Sequence, residues 1–202
     1  RQMCIRDRII YYMQIETLNP IKIKVSGSER FDFLQNIITN DLNKLEEELF
    51  SYILTPQGKI LYEIIITNSK ESYDLVCTND QNDLATYLKK YASLSDVDLH
   101  IENIDAKEYD EKYILNQLSS GNIDANLLKH SSLLPSEIND ELVDYSKGCF
   151  VGQEVVSRIK HRQLNKKKVT VKLFEQKPQN LPNNSEISVS YTHLTLPTKL
   201  AV

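Results

Sequence analysis

The chain has 202 residues, 41% hydrophobic and 26% charged, close to ordinary globular usage, which excludes a disordered or low-complexity protein. Its formal net charge of -4 argues against a generally basic binder of nucleic acid or anionic lipid and leaves only a local patch for such contacts. The 3 cysteines lie too far apart for a disulfide framework or a zinc ribbon, and no run approaches the ~18 apolar residues of a membrane span.

In chain order, residues 1–8 (RQMCIRDR) come first and match nothing that follows. They resemble in-frame read-through of a sequencing adapter and are set aside as non-native, which removes Cys4 as a functional thiol and makes Met13 a candidate start. Ile21, Ile23 and Val25 then alternate with Lys22 and Lys24, which predicts a half-buried strand. Ser26 and Glu29 stand at capping-box spacing before a helix that carries Phe31, Leu34, Ile37, Ile38 and Leu42 on one stripe. Two strands, 51–54 and 59–67, flank the turn Pro56-Gln57-Gly58 and make a hairpin. A strand at 73–78, a helix over 80–93 and a strand at 97–101 follow. This order predicts an α+β fold, an antiparallel or mixed sheet with helices on one face. A short helix is expected at 111–119, a linker with local turns at 122–139, and a strand at 166–174 with Val169, Val171 and Leu173 on one face. Residues 190–202 (SYTHLTLPTKLAV) again resemble adapter sequence, so the chain is expected to be a fragment, cut before its natural end.

The chemistry is concentrated in residues 147–162 (KGCFVGQEVVSRIKHR). Cys149 follows Lys147 by two residues, and a nearby cation favours the nucleophilic thiolate. Gly148 and Gly152 permit unusual backbone conformations and close approach of a ligand. Gln153 and Glu154 open a short helix with Val155, Val156 and Ile159 as its apolar face, and its N-terminus would favour the thiolate further. The bland alternative is a buried structural cysteine in a glycine-bounded turn.

The segment resembles the signature of the YgfZ family of folate-binding proteins, paralogues of the aminomethyltransferase of the glycine cleavage system. That pattern, Lys-Gly-Cys-aromatic-x-Gly-Gln-Glu followed by Arg, is met by Lys147, Gly148, Cys149, Phe150, Gly152, Gln153, Glu154 and Arg158. Phe150 stands where Tyr is usual, and Gln163 where a Gly usually follows the basic pair. Residues 33–42, 54–61 and 134–137 resemble the family's first helix, its hairpin and the segment before the signature. The resemblance implies an aminomethyltransferase-like folate-binding domain of intertwined sheet lobes at 9–162, then the start of a truncated C-terminal β-barrel at 163–189. It implies tetrahydrofolate or a derivative as cofactor, and Gly148, Phe150, Gly152, Gln153, Glu154 and Arg158 as its candidate contacts, with Tyr62 a weaker one. Cys149 is the candidate reactive thiol and Lys147 its activating cation; Arg158 could pair with an internal carboxylate or with the glutamate tail of folate.

The implied role is accessory: cytoplasmic support for assembly or repair of iron–sulfur enzymes, including tRNA-modifying ones. Folate and those client enzymes are the expected partners, with no membrane and no metal on this chain alone. Aminomethyltransferases carry an acid after the hairpin turn, where this chain has Tyr62, a poor base at neutral pH. Glu63 points to the opposite face and is expected to be solvated. Enzymatic turnover is therefore left open, with a residual aminomethyltransferase as one alternative and a plain folate-binding or partner-docking module as another. A further alternative is tRNA or other RNA contact through the basic 158–168 segment, which lacks interleaved aromatics. Cys77, in an apolar strand, is expected in the core. The histidines show no metal-ligand spacing.

Overall fold

In the computed structural model the described residues are 6–9, 19–80, 83–104, 124–127, 133–162, 167–170 and 186–187. After β1 (Arg6–Ile9) come β2 (Ile21–Ser26), α1 (Arg30–Ile37), β3 (Glu48–Leu54), β4 (Ile60–Ser69), β5 (Ser72–Cys77), α2 (Leu84–Ala92) and β6 (Asp98–Asn103). β2 to β6 form one antiparallel sheet in the order β3-β4-β5-β2-β6. The alternation read in β2 is realised: Ile23 and Val25 are fully buried, while Lys22 reaches sideways to Asp74 at 3.0 Å and Glu102 at 3.5 Å on the two neighbouring strands. Tyr62, Ile64 and Ile66 of β4 and Leu75 and Cys77 of β5 face the same way.

α1 and α2 cover that face. They bury Phe33, Leu34, Ile37, Leu84, Ala85 and Leu88, and each fully buried aliphatic contributes about 1.5–3 kcal/mol. The expected capping box does not form, and α1 starts at Arg30 with no side-chain cap. Of the expected pair, Glu29 instead accepts from the Asp96 N–H at 2.7 Å, and the neighbouring Ser28 donates to the Asp96 carboxylate. α1 also ends one residue before Ile38, which instead bridges to Ile53 on the edge of β3. α2 begins at Leu84, because Asp83 adopts a left-handed conformation (φ +57°) and caps Thr86 N at 2.9 Å.

The hairpin appears where expected, with a register shift between Ile53 and Leu54 and Gly58 at φ +76° in the turn. Helices on one face only is the expectation that fails. The opposite face at the β3 end is covered by residues 133–162, which include α3 (Pro135–Ile138) and α4 (Gln153–His161). There Tyr52, Leu54, Ile60, Val143, Phe150 and Val156 make a second, smaller core. The expected linker at 122–139 thus contains α3 and the 3-10 turn Ala125–Leu127. A separate parallel sheet joins β1 to β7 (Lys167–Thr170) and β8 (Glu186–Ile187), with β7 beside α3. β1 thus draws on residues 6–8. The helix expected at 111–119, the outer parts of the strand at 166–174 and most of the barrel expected at 163–189 lie outside the described residues.

Candidate functional site

The signature loop is held at both ends of its turn. Asp144 starts it: its N–H donates to Thr39 O at 3.0 Å, and its carboxylate accepts from Ser146 N (2.7 Å), Ser146 Oγ (2.6 Å) and Lys147 N (3.2 Å). Lys44 Nζ lies 2.8 Å from the other oxygen, and with Ser146 it holds this carboxyl well below the usual carboxylate range. Lys147 is buried, and its ammonium donates to the backbone carbonyls of Gln35 (2.7 Å), Ile38 (2.7 Å) and Asn40 (2.9 Å). Burial pushes that ammonium down to about 8, against the pull of Asp41 and Asp144. The Phe150 ring closes over it, 5.3 Å from Nζ to the centroid.

Those carbonyls are available because of how the chain leaves α1. Residues 38–40 run along the edge of β3, with Thr39 N bonded to Tyr52 O and Ser51 Oγ, and Tyr52 N bonded to Thr39 Oγ1. Gln35 folds back to accept from Leu42 N and donate to Asp41. Three stretches that resembled the family in sequence, 33–42, 54–61 and 147–158, therefore meet at one place. Gly152 (φ +83°) is the contact with the hairpin: a Cβ there would lie 2.6 Å from Thr55 O and 3.1 Å from Gly58 Cα. A Cβ on Gly58 would press on Val155 and Val156 of α4 at 3.1–3.2 Å.

The candidate residues fall into two groups. Cys149 is exposed, which overturns the buried-cysteine alternative, and Gly148 beside it faces open space. Gln153 is half-buried and makes one long contact, 3.5 Å to Lys147 O. Glu154 and Arg158 are exposed and form an ion pair one turn apart on α4, so the internal partner for Arg158 is present. Phe150 and Tyr62, by contrast, are packed inside. Phe150 is in the second core, and Tyr62 is 2% exposed in the main core, with its ring edge-on to Tyr87 at 6.1 Å. Burial raises the Tyr62 hydroxyl further. Cys77 is buried as expected, and burial raises its thiol as well.

Glu63 is not on a solvated face, as the sequence suggested. Its carboxylate accepts from Ala125 N at 2.8 Å, and Asn126 bonds both its N–H (2.9 Å) and its carbonyl (2.6 Å). The neighbouring Asp124 is buried, accepts from Thr78 Oγ1, and is pushed up to about 6 by burial. Burial and the Asp124 charge push Glu63 up too. Sequence reading passed over this acid pair because its members are 61 residues apart. The Asp144–Ser146 turn was also missed, although Asp two residues before Ser is a common turn signal. Among the described residues no His, Cys, Asp and Glu group could hold a metal ion, and no helix is long and apolar enough to cross a membrane.

No protein-family model matches the chain. Its sequence is similar to an iron-sulfur cluster assembly factor IBA57 homolog, mitochondrial, from Neurospora crassa, 24% identical over 73% of this chain and 50% of that protein. It is also similar to an aminomethyltransferase of Caldanaerobacter subterraneus subsp. tengcongensis, 28% identical over 43% of this chain and 24% of that protein. The chain therefore spans half or less of the length of these relatives. Among solved structures, the glycine cleavage system aminomethyltransferase T from Bartonella henselae aligns with a TM-score of 0.37, 21% identity, 56% of this chain and 32% of that one. The sequence relatives bear out the resemblance to the YgfZ and aminomethyltransferase-like proteins.

Proposed function

We propose that this YgfZ/aminomethyltransferase-like chain is a cytoplasmic, tetrahydrofolate-binding accessory protein that supports assembly or repair of iron–sulfur enzymes, with Cys149 as its reactive thiol. One observation carries the reading. Between the buried Lys147 and Phe150 of the signature loop, Gly148 and Cys149 stand exposed. A thiol held outward on a pinned loop is accessible to a partner, and accessibility is what a structural cysteine lacks. The relatives named above support the accessory role: one of them is by name an iron–sulfur cluster assembly factor.

The residues fit folate in part. Phe150 and Gly152 are engaged in packing the loop, and Tyr62 is engaged in the main core, so none of the three faces a ligand. Glu154 and Arg158 are exposed on α4, with Gln153 half-buried beside the loop, and Arg158 can exchange Glu154 for a carboxylate of the folate tail. The cofactor supplies a reduced pterin; the chain supplies binding groups and the thiol. Aminomethyl transfer is disfavoured by the arrangement of β4, where Tyr62 is sealed in the core and Glu63 is committed to Ala125 and Asn126 on the other face. RNA contact is the weaker second reading, because Arg158 and Lys160 are already paired with Glu154 and Asp140.

Calorimetric titration with tetrahydrofolate under reducing, anaerobic conditions tests the cofactor. Saturable binding that Arg158→Ala weakens is the expected result; a folded chain that binds none refutes it. Cys149→Ala is expected to keep folate affinity and lose function in cells. Normal complementation by that variant would remove the thiol role.

A further inference from the structure

We infer that Lys147 is a positioning residue: it fixes where Cys149 sits by tying the 144–152 loop to the C-terminal end of α1, and it is not the cation that ionises the thiol. The inference rests on the reading of Cys149 as the reactive group. A lysine ammonium has three N–H donors. All three are taken, by Gln35 O, Ile38 O and Asn40 O. None is left to hydrogen-bond a thiolate.

Those acceptors give the ammonium a reason to stay. Gln35 O lies in the last turn of α1 and Ile38 O at its C-cap, where unpaired carbonyls gather partial negative charge. The Phe150 ring covers the ammonium from the loop side. The side chains also diverge, since Lys147 is 9% exposed while Cys149, two residues on, is exposed to solvent. The main chain is then pinned at Asp144 (N–H to Thr39 O, 3.0 Å), at Lys147 and at Val151 (N–H to Asn36 O, 3.3 Å). Gly148, Cys149 and Phe150 span the gap between Lys147 and Val151, and of the three Gly148 and Cys149 are exposed.

Lys147→Met keeps most of the side-chain volume and removes the ammonium. Alkylation of Cys149 by iodoacetamide, followed across the thiol titration range by peptide mass, is expected to keep its wild-type midpoint. Amide protons of Asp144 and Val151 are expected to exchange about tenfold faster or more, while those of Ile64 and Ile66 hold. A rise of the alkylation midpoint by about one pH unit or more would identify Lys147 as the activating cation and overturn the inference. Equal loss of protection in loop and sheet would make Lys147 a general stability residue, which also overturns it.

Should Lys147→Met not fold, the wild-type chain gives the answer through the 15N resonance of Lys147 Nζ, read before and after capping Cys149 with iodoacetamide. An unchanged titration is expected, and a shifted one overturns the inference. If Cys149→Ala complements normally, the thiol role falls while these readouts still stand, so the two failures are separable.

Discussion

Two glycines four residues apart in the signature do different work. Gly152 is required by the fold, since its φ of +83° and its 2.6 Å approach to Thr55 O both exclude a Cβ. Gly152→Ala is expected to destabilise by about 1–3 kcal/mol from backbone strain alone, with the clash added. Gly148 has neither constraint, so Gly148→Ala should fall within about 0.5 kcal/mol of the parent in urea unfolding. Equal losses for the two would contradict this account. Asp144 is the charged counterpart. Its folded carboxyl lies below the unfolded value of 3.8, so its contribution is fully present above that value and is lost as pH falls. Asp144→Asn should cost about 2 kcal/mol at neutral pH, with the difference shrinking below about pH 4. A gap that does not change with pH would show that Asp144 acts by shape and not by charge.

The strands were the most legible elements, and the reasons are physical. Ile21-Lys22-Ile23-Lys24-Val25 has a period that no helix satisfies, and Pro56-Gln57-Gly58 marks the reversal from β3 into the Ile-rich β4. What failed to show depended on distant groups. The α1 cap gave way to Asp96, the Lys147 site is built from backbone carbonyls that no side-chain pattern encodes, and Glu63 found a partner brought in by the 3-10 turn Ala125–Leu127. That turn is tied to β4 and β5 through the acid pair, and the pair sets a pH window. The Asp124 carboxyl at about 6 stands above its unfolded 3.8, so between these values the folded chain keeps a proton that the unfolded chain has released. Stability therefore falls as pH rises through the window. Asp124→Asn keeps one acceptor oxygen where Asp124 uses two, for Thr78 Oγ1 and Asn126 N, but it removes the titration, so the stability of the variant relative to parent should rise by on the order of 2 kcal/mol between about pH 4 and about pH 7. Parallel curves for variant and parent would show that the pair does not titrate there.

At the scale of the molecule, two cores of unequal size share one sheet. The main core seals β2 to β5 beneath α1 and α2, whereas the second, among the described residues, rests on six buried ones, two of them from β3 and one from β4. The covering segment 133–162 is tied to that sheet and to the chain leaving α1 by the Lys147 ammonium, the Lys44–Asp144 ion pair, the Gly152 contact with the hairpin, and backbone bonds such as Ile60 N to Leu133 O at 2.8 Å and Asp144 N to Thr39 O. A small core opens at lower free energy than the larger one on the other face of the sheet. Cys149, the thiol proposed to react, is thus expected to be carried by the part of the molecule that opens before the rest. Val156→Ala, which removes two methyls from the second core and touches none of the main one, isolates that property. It should cost about 2 kcal/mol locally and speed amide exchange in α4 and the 144–152 loop, while Ile64, Ile66 and Leu75 keep their parental protection. Leu75→Ala should instead lower protection everywhere, because the covering segment has no support without the sheet. If both variants lower protection uniformly, the two cores form one cooperative unit, and the thiol sits on a loop that moves only when the whole molecule does.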